Sequence, residues 1–277
     1  MEKTFKICKK INFDTETLAK QVKIIEVIDI IRYKMTSHGF VESIDTDKSI
    51  QYVFSVGGDG TMLHSMHQHI SKDSIIIGIN AGNVGFLTPY SLDDVYNGNV
   101  FSFIEKESRI EDRSILQHTL GDKKGVAVNE YAITAQGPND MIEFSIEVEA
   151  KGHISRAGHY KANTVIISGP CGSTAYNMNA GGAIIDPSMK SMQIVMVAPT
   201  TLGTRPLITG KNSIIHVKLK NSAKIFADGM YYGDINPDDS ALSISLMQKE
   251  SHVLVPENWN FYSVLSKKLH WNNGRDV

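Results

Sequence analysis

The fold of this chain is decided by one stretch, Tyr52-Val53-Phe54-Ser55-Val56-Gly57-Gly58-Asp59-Gly60-Thr61. Its apolar first half predicts a buried strand, and the residues from Thr61 to Met66 continue in a helical pattern. Glycines in a strand-to-helix turn let another molecule approach the backbone closely. The amides that open the following helix favour an anion such as phosphate. The stretch therefore predicts a phosphate-binding turn in an α/β domain.

The carboxylate in this turn needs an explanation of its own, because Asp59 repels phosphate. It fits a turn in which it coordinates a metal or takes a proton from a hydroxyl that attacks phosphorus. The alternative is a tight turn with a surface aspartate, which is the usual role of a Gly-Asp-Gly stretch. The strand before the turn and the helix after it favour the functional interpretation.

The rest of the first hundred residues alternates between strand-like and helix-like patterns. Lys6–Cys8 and Ser74–Ile79 predict strands, the second of them apolar enough to be covered on both faces. A long helix is predicted from an N-cap at Asp14 to a stop at Gly39. Its apolar face is expected to contain Leu18, Val22, Ile25, Ile28, Ile31 and Met35. This half is predicted to be α/β with a mostly parallel sheet.

From about residue 110 the apolar residues recur with period two. The clearest runs are Phe144–Ala150, Ile215–Lys220 and Leu242–Met247. Several half-buried strands in succession predict an antiparallel sandwich. We therefore expect two domains, an α/β domain over 1–110 and a β-sandwich over 111–255, with the mixed segment 256–277 packing back on the first.

Composition limits the classes of function. The 277 residues are 42% hydrophobic and 21% charged, with a net charge of −2, which gives no electrostatic footprint for a nucleic acid or an anionic membrane. No signal peptide is evident, and no apolar stretch approaches the roughly 20 residues of a membrane span. Cys8 and Cys171 lack metal-like spacing and suit a reducing interior. We expect a cytoplasmic protein with neither nucleic-acid nor membrane partners.

A second glycine cluster follows the next predicted strand, Asn80-Ala81-Gly82-Asn83-Val84-Gly85-Phe86-Leu87. It lies at a strand carboxyl end, where open α/β sheets place their ligands. Alone it is also compatible with a loop that needs two flexible positions. Beside the first glycine turn it predicts a cleft for a polyphosphate.

Two segments of the second half complete the set of candidates. Asn129-Glu130 can hydrogen-bond ribose hydroxyls or a base edge, although an exposed pair of this kind usually faces solvent. The segment Gly169-Pro170-Cys171-Gly172-Ser173-Thr174-Ala175-Tyr176-Asn177 follows the apolar run Thr164–Ser168. Its small hydroxyl residues and single aromatic suit a flat heterocycle. The alternative is a Gly/Pro loop whose tyrosine covers the core.

In order and spacing these segments resemble the NAD kinase family. The matching motifs are Gly57-Gly58-Asp59-Gly60-Thr61, Asn-x-Gly-x-x-Gly-Phe-Leu at 80–87, Asn129-Glu130, Gly172-Ser173-Thr174-Ala175-Tyr176, Pro199 with Leu202-x-x-Arg205-Pro206, and Asp228-Gly229. Gly-Gly-Asp-Gly-Thr is shared with lipid kinases, whereas its combination with Gly-Ser-Thr-Ala-Tyr is specific.

The resemblance implies a Rossmann-like N-terminal α/β domain, a C-terminal antiparallel β-sandwich, and transfer of the γ-phosphoryl group of ATP to the 2′-hydroxyl of the adenosine ribose of NAD. Asp59 becomes the candidate general base, or a metal-organising carboxylate. Mg²⁺ is expected to arrive with ATP, polyphosphate is an alternative donor, and a homodimer or homotetramer is expected. The implied substrate- and cofactor-binding residues are Gly57, Gly58, Gly60, Thr61, Asn80, Gly82, Gly85, Phe86, Asn129, Glu130, Asn163, Ser173, Thr174, Ala175, Tyr176, Asn177 and Asp228.

Four positions depart from the family pattern. Asn163 replaces an aspartate, Gly169 and Cys171 replace two threonines, and Thr200 replaces a histidine. These changes predict substrate binding that is altered, weakened or directed at a modified dinucleotide. They also motivate a second hypothesis, a dinucleotide-binding protein without catalysis. A third hypothesis, a lipid kinase, lacks the amphipathic basic helix or apolar anchor that would reach a membrane.

Overall fold

The structure, a computed structural model, describes residues 3–9, 17–44, 49–70, 73–82, 85–105 and 109–270. The chain divides into two compact units, the first formed by Met1–Asp112 with Ser251–Val277 and the second by Arg113–Glu250. None of the described helices is both long enough and apolar enough to cross a membrane.

Strands account for most of the regular structure. They are β1 (Thr4–Lys9), β2 (Val41–Glu42), β3 (Tyr52–Gly57), β4 (Ile75–Asn80), β5 (Tyr90–Ser91), β6 (Arg109–Arg113), β7 (Leu116–Leu120), β8 (Lys123–Ala127), β9 (Glu130–Ala135), β10 (Ile142–Ala150), β11 (His153–Ala162), β12 (Thr164–Ser168), β13 (Ser191–Val197), β14 (Leu207–Gly210), β15 (Ile214–Leu219), β16 (Ala223–Ala227), β17 (Met230–Ile235), β18 (Leu242–Leu246) and β19 (Ser251–Val255). The α-helices are α1 (Leu18–Ser37), α2 (Asp59–His69), α3 (Leu92–Tyr96), α4 (Ser102–Glu105), α5 (Tyr176–Asn179) and α6 (Phe261–Leu269), with 3₁₀ turns at Asn99–Phe101 and Cys171–Thr174.

The first unit is built on one sheet with strand order β2-β1-β3-β4-β19-β6, and β5 also pairs with β4. Strands β1, β3 and β4 run parallel, and Gly57 at the end of β3 pairs with Asn80 at the end of β4. The two glycine segments therefore leave the sheet side by side at its carboxyl edge. This arrangement confirms the predicted parallel α/β architecture.

Helix α1 covers this sheet with a face that differs from the predicted one. Its buried residues are Gln21, Ile24, Val27, Ile28, Ile31 and Met35. Leu18, Val22 and Ile25, which were predicted to be buried, are 76%, 45% and 45% exposed. The prediction was wrong there because apolar residues lie on both sides of the helix, so spacing alone selects neither side. The helix ends before Gly39 (φ 81°) as predicted, and the predicted cap Asp14 lies outside the described residues.

The second unit is an antiparallel sandwich, as predicted. One sheet has the order β11-β10-β15-β18-β7-β8 and the other the order β14-β13-β12-β9-β16-β17. Their inward side chains form one apolar core that includes Tyr131, Phe144, Val165 and Ile215. In the second sheet Ser168 pairs with Glu130, so the end of β12 and the start of β9 lie at the same edge.

Candidate active site

The first glycine segment leaves backbone open at the start of α2. A Cβ on Gly57 would stand 2.3 Å from Thr61 Oγ1, so only glycine fits where the chain turns into the helix. At Gly58 and Gly60, by contrast, a Cβ would meet no atom within 4 Å. The amides of a first helical turn have no partners inside the helix and carry partial positive charge. This corner can therefore receive an anion.

The carboxylate of Asp59 ties this corner to the second glycine segment. Its Oδ2 accepts from the Phe86 N–H at 2.9 Å, and its Oδ1 accepts from the Leu87 N–H at 3.0 Å. The Thr88 hydroxyl also donates to Oδ1, at 3.3 Å. The side chain is 32% exposed. Asp59 is therefore a held, partly accessible carboxylate and not a surface turn residue.

The second segment is shaped to allow this contact. Asn80 accepts from the Gly82 N–H at 2.7 Å and donates to Thr88 Oγ1 at 2.8 Å, which fixes both ends of the loop. A Cβ on Gly85 would stand 2.1 Å from Asp59 Oδ1. Gly85 is therefore required for close approach to the carboxylate, not for general flexibility.

Two lysines that the sequence did not single out reach these loops. The Lys20 ammonium, in α1, is 3.8 Å from where a Cβ on Gly82 would stand. The Lys268 ammonium, in α6, lies 3.5 Å from Asp59 Oδ2 and 4.5 Å from the centre of the Phe86 ring. The signal for Lys268 was weak, because residues 259–269 showed only a mixed pattern and lie about two hundred residues from the turn.

In the second unit, Asp228 performs a similar task. The Asp228 backbone is left-handed, with φ 49°. The Asp228 carboxylate accepts hydrogen bonds from three successive amides, those of Val128, Asn129 and Glu130, at 2.8, 2.7 and 3.1 Å. Charged acceptors bind amides about twice as strongly as neutral ones. Asp228 therefore fixes the Asn129-Glu130 corner, and its oxygens are already used by protein groups.

Glu130 is the electrostatically unusual residue of this unit. It is 6% exposed, and burial, with a contribution from the charge of Asp228, raises its pKa to about 8, although the Tyr176 N–H hydrogen bond opposes the shift. At neutral pH the side chain is therefore a neutral acid that can donate a hydrogen bond. Glu130 Oε2 and Asn129 Oδ1 are buried without a hydrogen-bond partner in the described part of the chain. Most buried polar atoms in proteins have a hydrogen-bond partner, so these two are exceptions.

The segment after β12 divides into structural and available groups. The Ser173 hydroxyl donates to the Pro170 carbonyl at 2.7 Å and accepts from the Ile185 N–H at 3.0 Å, and Thr174 Oγ1 donates to the Cys171 carbonyl at 3.3 Å. These hydroxyls hold the segment's own backbone. Tyr176 is 42% exposed, and the buried Asn177 amide has no hydrogen-bond partner among the described residues. Of these two side chains only Tyr176 is accessible, whereas Asn177 packs against Gly182, where a Cβ would stand 2.2 Å from its Nδ2. The predicted binding roles of Ala175, Tyr176 and Asn177 stay predictions.

The segment after β12 packs closely against the Asn129 backbone. A Cβ on Gly172 would stand 2.0 Å from the Asn129 carbonyl oxygen, and the Gly169 N–H donates to that oxygen at 3.1 Å. A Cβ on Gly169 would make only ordinary contacts, from 3.7 Å. The departure at Gly169 is therefore not forced by crowding.

Asn163 does not lie near the Asn129-Glu130 corner or the segment after β12. It precedes β12, whereas Ser168 and Glu130 lie at the other end of that strand, about 16 Å away at 3.3 Å per residue. Its amide nitrogen donates to the carbonyls of Pro138 and Asp140 at 3.3 and 3.0 Å. An aspartate could not make these two bonds. Its predicted role in binding stays a prediction, and Thr200, which contacts the Lys161 carbonyl, also lies outside the group.

A cavity of about 700 Å³ in the first unit is lined by Tyr90, Asp94, Arg109 and Trp259, among others. None of the described residues of the two glycine segments lines it. Asp94 is bonded to Ser91 and Asn99, and Arg109 donates to the Trp259 carbonyl. We therefore place the candidate chemistry at Asp59 and not in this cavity.

The comparisons with known proteins agree with the motifs. Residues 5–98 match the family model of the ATP-NAD kinase N-terminal domain, and residues 128–253 match that of the ATP-NAD kinase C-terminal domain. An NAD kinase of Fusobacterium nucleatum is 32% identical over 250 residues, which are 88% of this chain and 91% of that protein. An NAD kinase of Methanothermobacter thermautotrophicus is 33% identical over 236 residues, 83% of this chain and 78% of that protein.

Two solved structures share the fold. Yeast NADH kinase complexed with NADH superposes with a TM-score of 0.84 at 16% identity, covering 100% of this chain and 89% of that one. An NAD kinase from Archaeoglobus fulgidus in complex with ATP superposes with a TM-score of 0.72 at 20% identity, covering 96% and 98%.

Proposed function

The chain belongs to the NAD kinase family, and from this premise we propose that it transfers the γ-phosphoryl group of ATP to the 2′-hydroxyl of the adenosine ribose of NAD, giving NADP. The observation that carries the proposal is Asp59: a carboxylate held by the Phe86 and Leu87 amides at the first turn of α2, where Gly58 and Gly60 leave the backbone open. A carboxylate beside an anion-binding corner suits a base for an alcohol that attacks phosphorus.

On the donor side, the α2 amides and the lysine ammonium groups bind the phosphates. Phosphoryl transfer depends mainly on alignment and on neutralisation of charge. Among the described residues no group of three His, Cys, Asp or Glu side chains could hold a metal, and the oxygens of Asp59 already have protein partners. We expect Mg²⁺ to arrive with ATP and to neutralise negative charge on the nucleotide phosphates.

On the acceptor side, the ribose 2′-hydroxyl gives its proton to an Asp59 oxygen while its own oxygen forms the new bond to the γ-phosphorus. The bond from that phosphorus to the β,γ-bridging oxygen breaks, and ADP leaves with the bonding electrons. Thr88 and the two amides keep the carboxylate oriented during the proton transfer.

The second unit supplies groups for the dinucleotide. Neutral Glu130 and the Asn129 amide offer a donor and an acceptor to ribose hydroxyls or to the adenine edge. Tyr176 offers an exposed ring for stacking. Asp228 acts through these residues, because it fixes the corner that carries them.

The test is a product assay with ATP, Mg²⁺ and NAD, with products separated by charge. The wild-type chain is expected to turn over many times, and Asp59→Asn to lose about 10²-fold or more of kcat, the usual contribution of a general base. An undiminished rate in Asp59→Asn would reject the role of this residue. NAD binding without turnover by the wild type, with either ATP or polyphosphate as donor, would favour the non-catalytic hypothesis.

We also propose a cytoplasmic homodimer or homotetramer. Both cysteines, Cys8 and Cys171, are free and buried, which suits a reducing compartment. The two edge strands of one sandwich sheet each carry adjacent exposed apolar side chains, Leu207 and Ile208 on β14 and Met230 and Tyr231 on β17, and an edge strand of this kind can pair with another chain. Light scattering of the purified chain tests the assembly.

A further inference from the structure

Helix α6 brings a cation to the candidate base. Its first residue, Phe261, packs against Phe86 with ring centres 6.4 Å apart. Near its other end, Lys268 extends over the same Phe86 ring and reaches Asp59 Oδ2 at 3.5 Å. Two residues of the helix therefore contact the Phe86 ring, and one of them presents its ammonium to the carboxylate.

The Lys268 ammonium occupies one of the hydrogen-bonding positions of the Asp59 carboxylate. An ionised carboxylate offers about four lone-pair positions. Oδ1 has two partners, the Leu87 N–H and the Thr88 hydroxyl, and Oδ2 has two, the Phe86 N–H and Lys268. A ribose hydroxyl needs one of these positions. In this arrangement a protein group fills each of them.

Lys268 is the partner that can leave. Its 3.5 Å separation exceeds the 2.9–3.3 Å of the other three contacts and the roughly 2.7–2.9 Å of a good charge-assisted bond. The side chain is 35% exposed, on a flexible stem with three donors. The other donors are two backbone amides and a hydroxyl that Asn80 also holds.

We propose that Lys268 moves from Asp59 to the phosphates of the donor when ATP binds, and so frees Oδ2 for the ribose hydroxyl. This inference rests on the proposed function. Without nucleotide the ammonium offsets the negative charge that would repel an incoming polyphosphate. With nucleotide it binds phosphate oxygens, and the base is exposed only when a donor is in place.

The neighbouring Lys267 provides a matched control, because both lysines lie in the last turn of α6 and removal of either takes one positive charge from it. Affinity for Mg·ATP is measured by calorimetry without NAD. Lys268→Met is expected to weaken binding by about tenfold or more, as for loss of one charge-assisted contact. Lys268→Arg is expected to restore part of the loss, and Lys267→Met to stay within about twofold of wild type. Thermal unfolding of each variant confirms that it is folded.

The Asp59→Asn background separates a phosphate contact from mere screening of Asp59. If Lys268 binds the donor, Lys268→Met also weakens Mg·ATP binding when Asp59 is already Asn. Equal affinity of Asp59→Asn and the double variant would overturn the proposal, because Lys268 would then act only through the carboxylate. These binding measurements need no turnover. A wild type that binds Mg·ATP but forms no NADP would therefore reject the proposed function while the role of Lys268 is still tested.

Discussion

The replacement Gly85→Ala tests how tightly the second glycine segment must approach the carboxylate of Asp59. The new Cβ would stand 2.1 Å from Asp59 Oδ1 and 2.3 Å from Thr88 Oγ1. Ordinary contacts begin at 3.4 Å, so the methyl and the carboxylate must separate by a further distance of about 1.3 Å, from 2.1 to 3.4 Å. The neighbours that must move are the groups that orient the base.

The replacement is expected to lower both the stability and the activity of the protein. Forcing a methyl into a filled place costs about 1–3 kcal/mol of unfolding free energy. A displacement of about 1 Å in a catalytic group costs about 10²-fold in rate. We therefore expect kcat for NADP formation to fall by about 10²-fold or more, while the protein stays folded.

The assay compares initial rates of NADP formation and urea unfolding for Gly85→Ala and for Gly82→Ala in the same loop. A Cβ on Gly82 meets its nearest atoms only at 3.8 Å, so this variant is expected to lose much less activity. A Gly85→Ala protein with kcat within about threefold of wild type would refute the argument, since the carboxylate would then tolerate a different position.

Two further predictions concern the second unit. Because the Glu130 pKa is raised from 4.5 to about 8, the folded chain keeps a proton that the unfolded chain releases, and stability falls as the pH rises across that interval. Glu130→Gln should therefore stabilise the protein by on the order of 4 kcal/mol above about pH 8 and by almost nothing near pH 4. Urea unfolding over this pH range measures the gain in stability, and a gain independent of pH would contradict the prediction. Asp228→Asn keeps the shape of the side chain but weakens its bonds to three amides, so it should cost about 1–3 kcal/mol of unfolding free energy. Asp234→Asn on the exposed strand β17 should cost less than about 0.5 kcal/mol. Equal costs in urea unfolding would reject the role of Asp228 in fixing the Asn129-Glu130 corner.

The sequence was sufficient for the architecture because its patterns are local. The apolar run at 52–56 and the alternation at 144–150 each predict their strand and its environment without knowledge of the partner strand. Helix α1 shows what a local pattern does not predict, namely which side of a helix is buried. Ile24 and Ile25 are equally apolar, yet Ile24 is fully buried and Ile25 is 45% exposed, since the sheet and not the helix decides which side is covered.

The candidate site was predictable as residue types and not as contacts. The turn at 57–61 singled out a carboxylate, but its partners come from residues 27 to 29 positions later and from Lys268, which no short-range pattern connects to it. Ser173 and Thr174 show that a suitable residue type can also serve the fold, and their role in binding stays a prediction. Their hydroxyls suit a ligand in the sequence, and the fold uses them for the backbone of their own turn.

Strand β19 is synthesised after the sandwich, although it lies inside the sheet of the first unit. In the sheet of the first unit β19 lies between β4 and β6, with His252 and Val253 paired to Ile75 and Ile76. A nascent chain that has left the ribosome as far as Glu250 contains every residue of the sandwich. Its first unit still lacks an interior strand and the helix that carries Lys268. The first unit, whose strands β1 to β4 precede the sandwich in the chain, is thus completed only after the sandwich has been synthesised, and the donor side of the site is assembled only after α6 has left the ribosome.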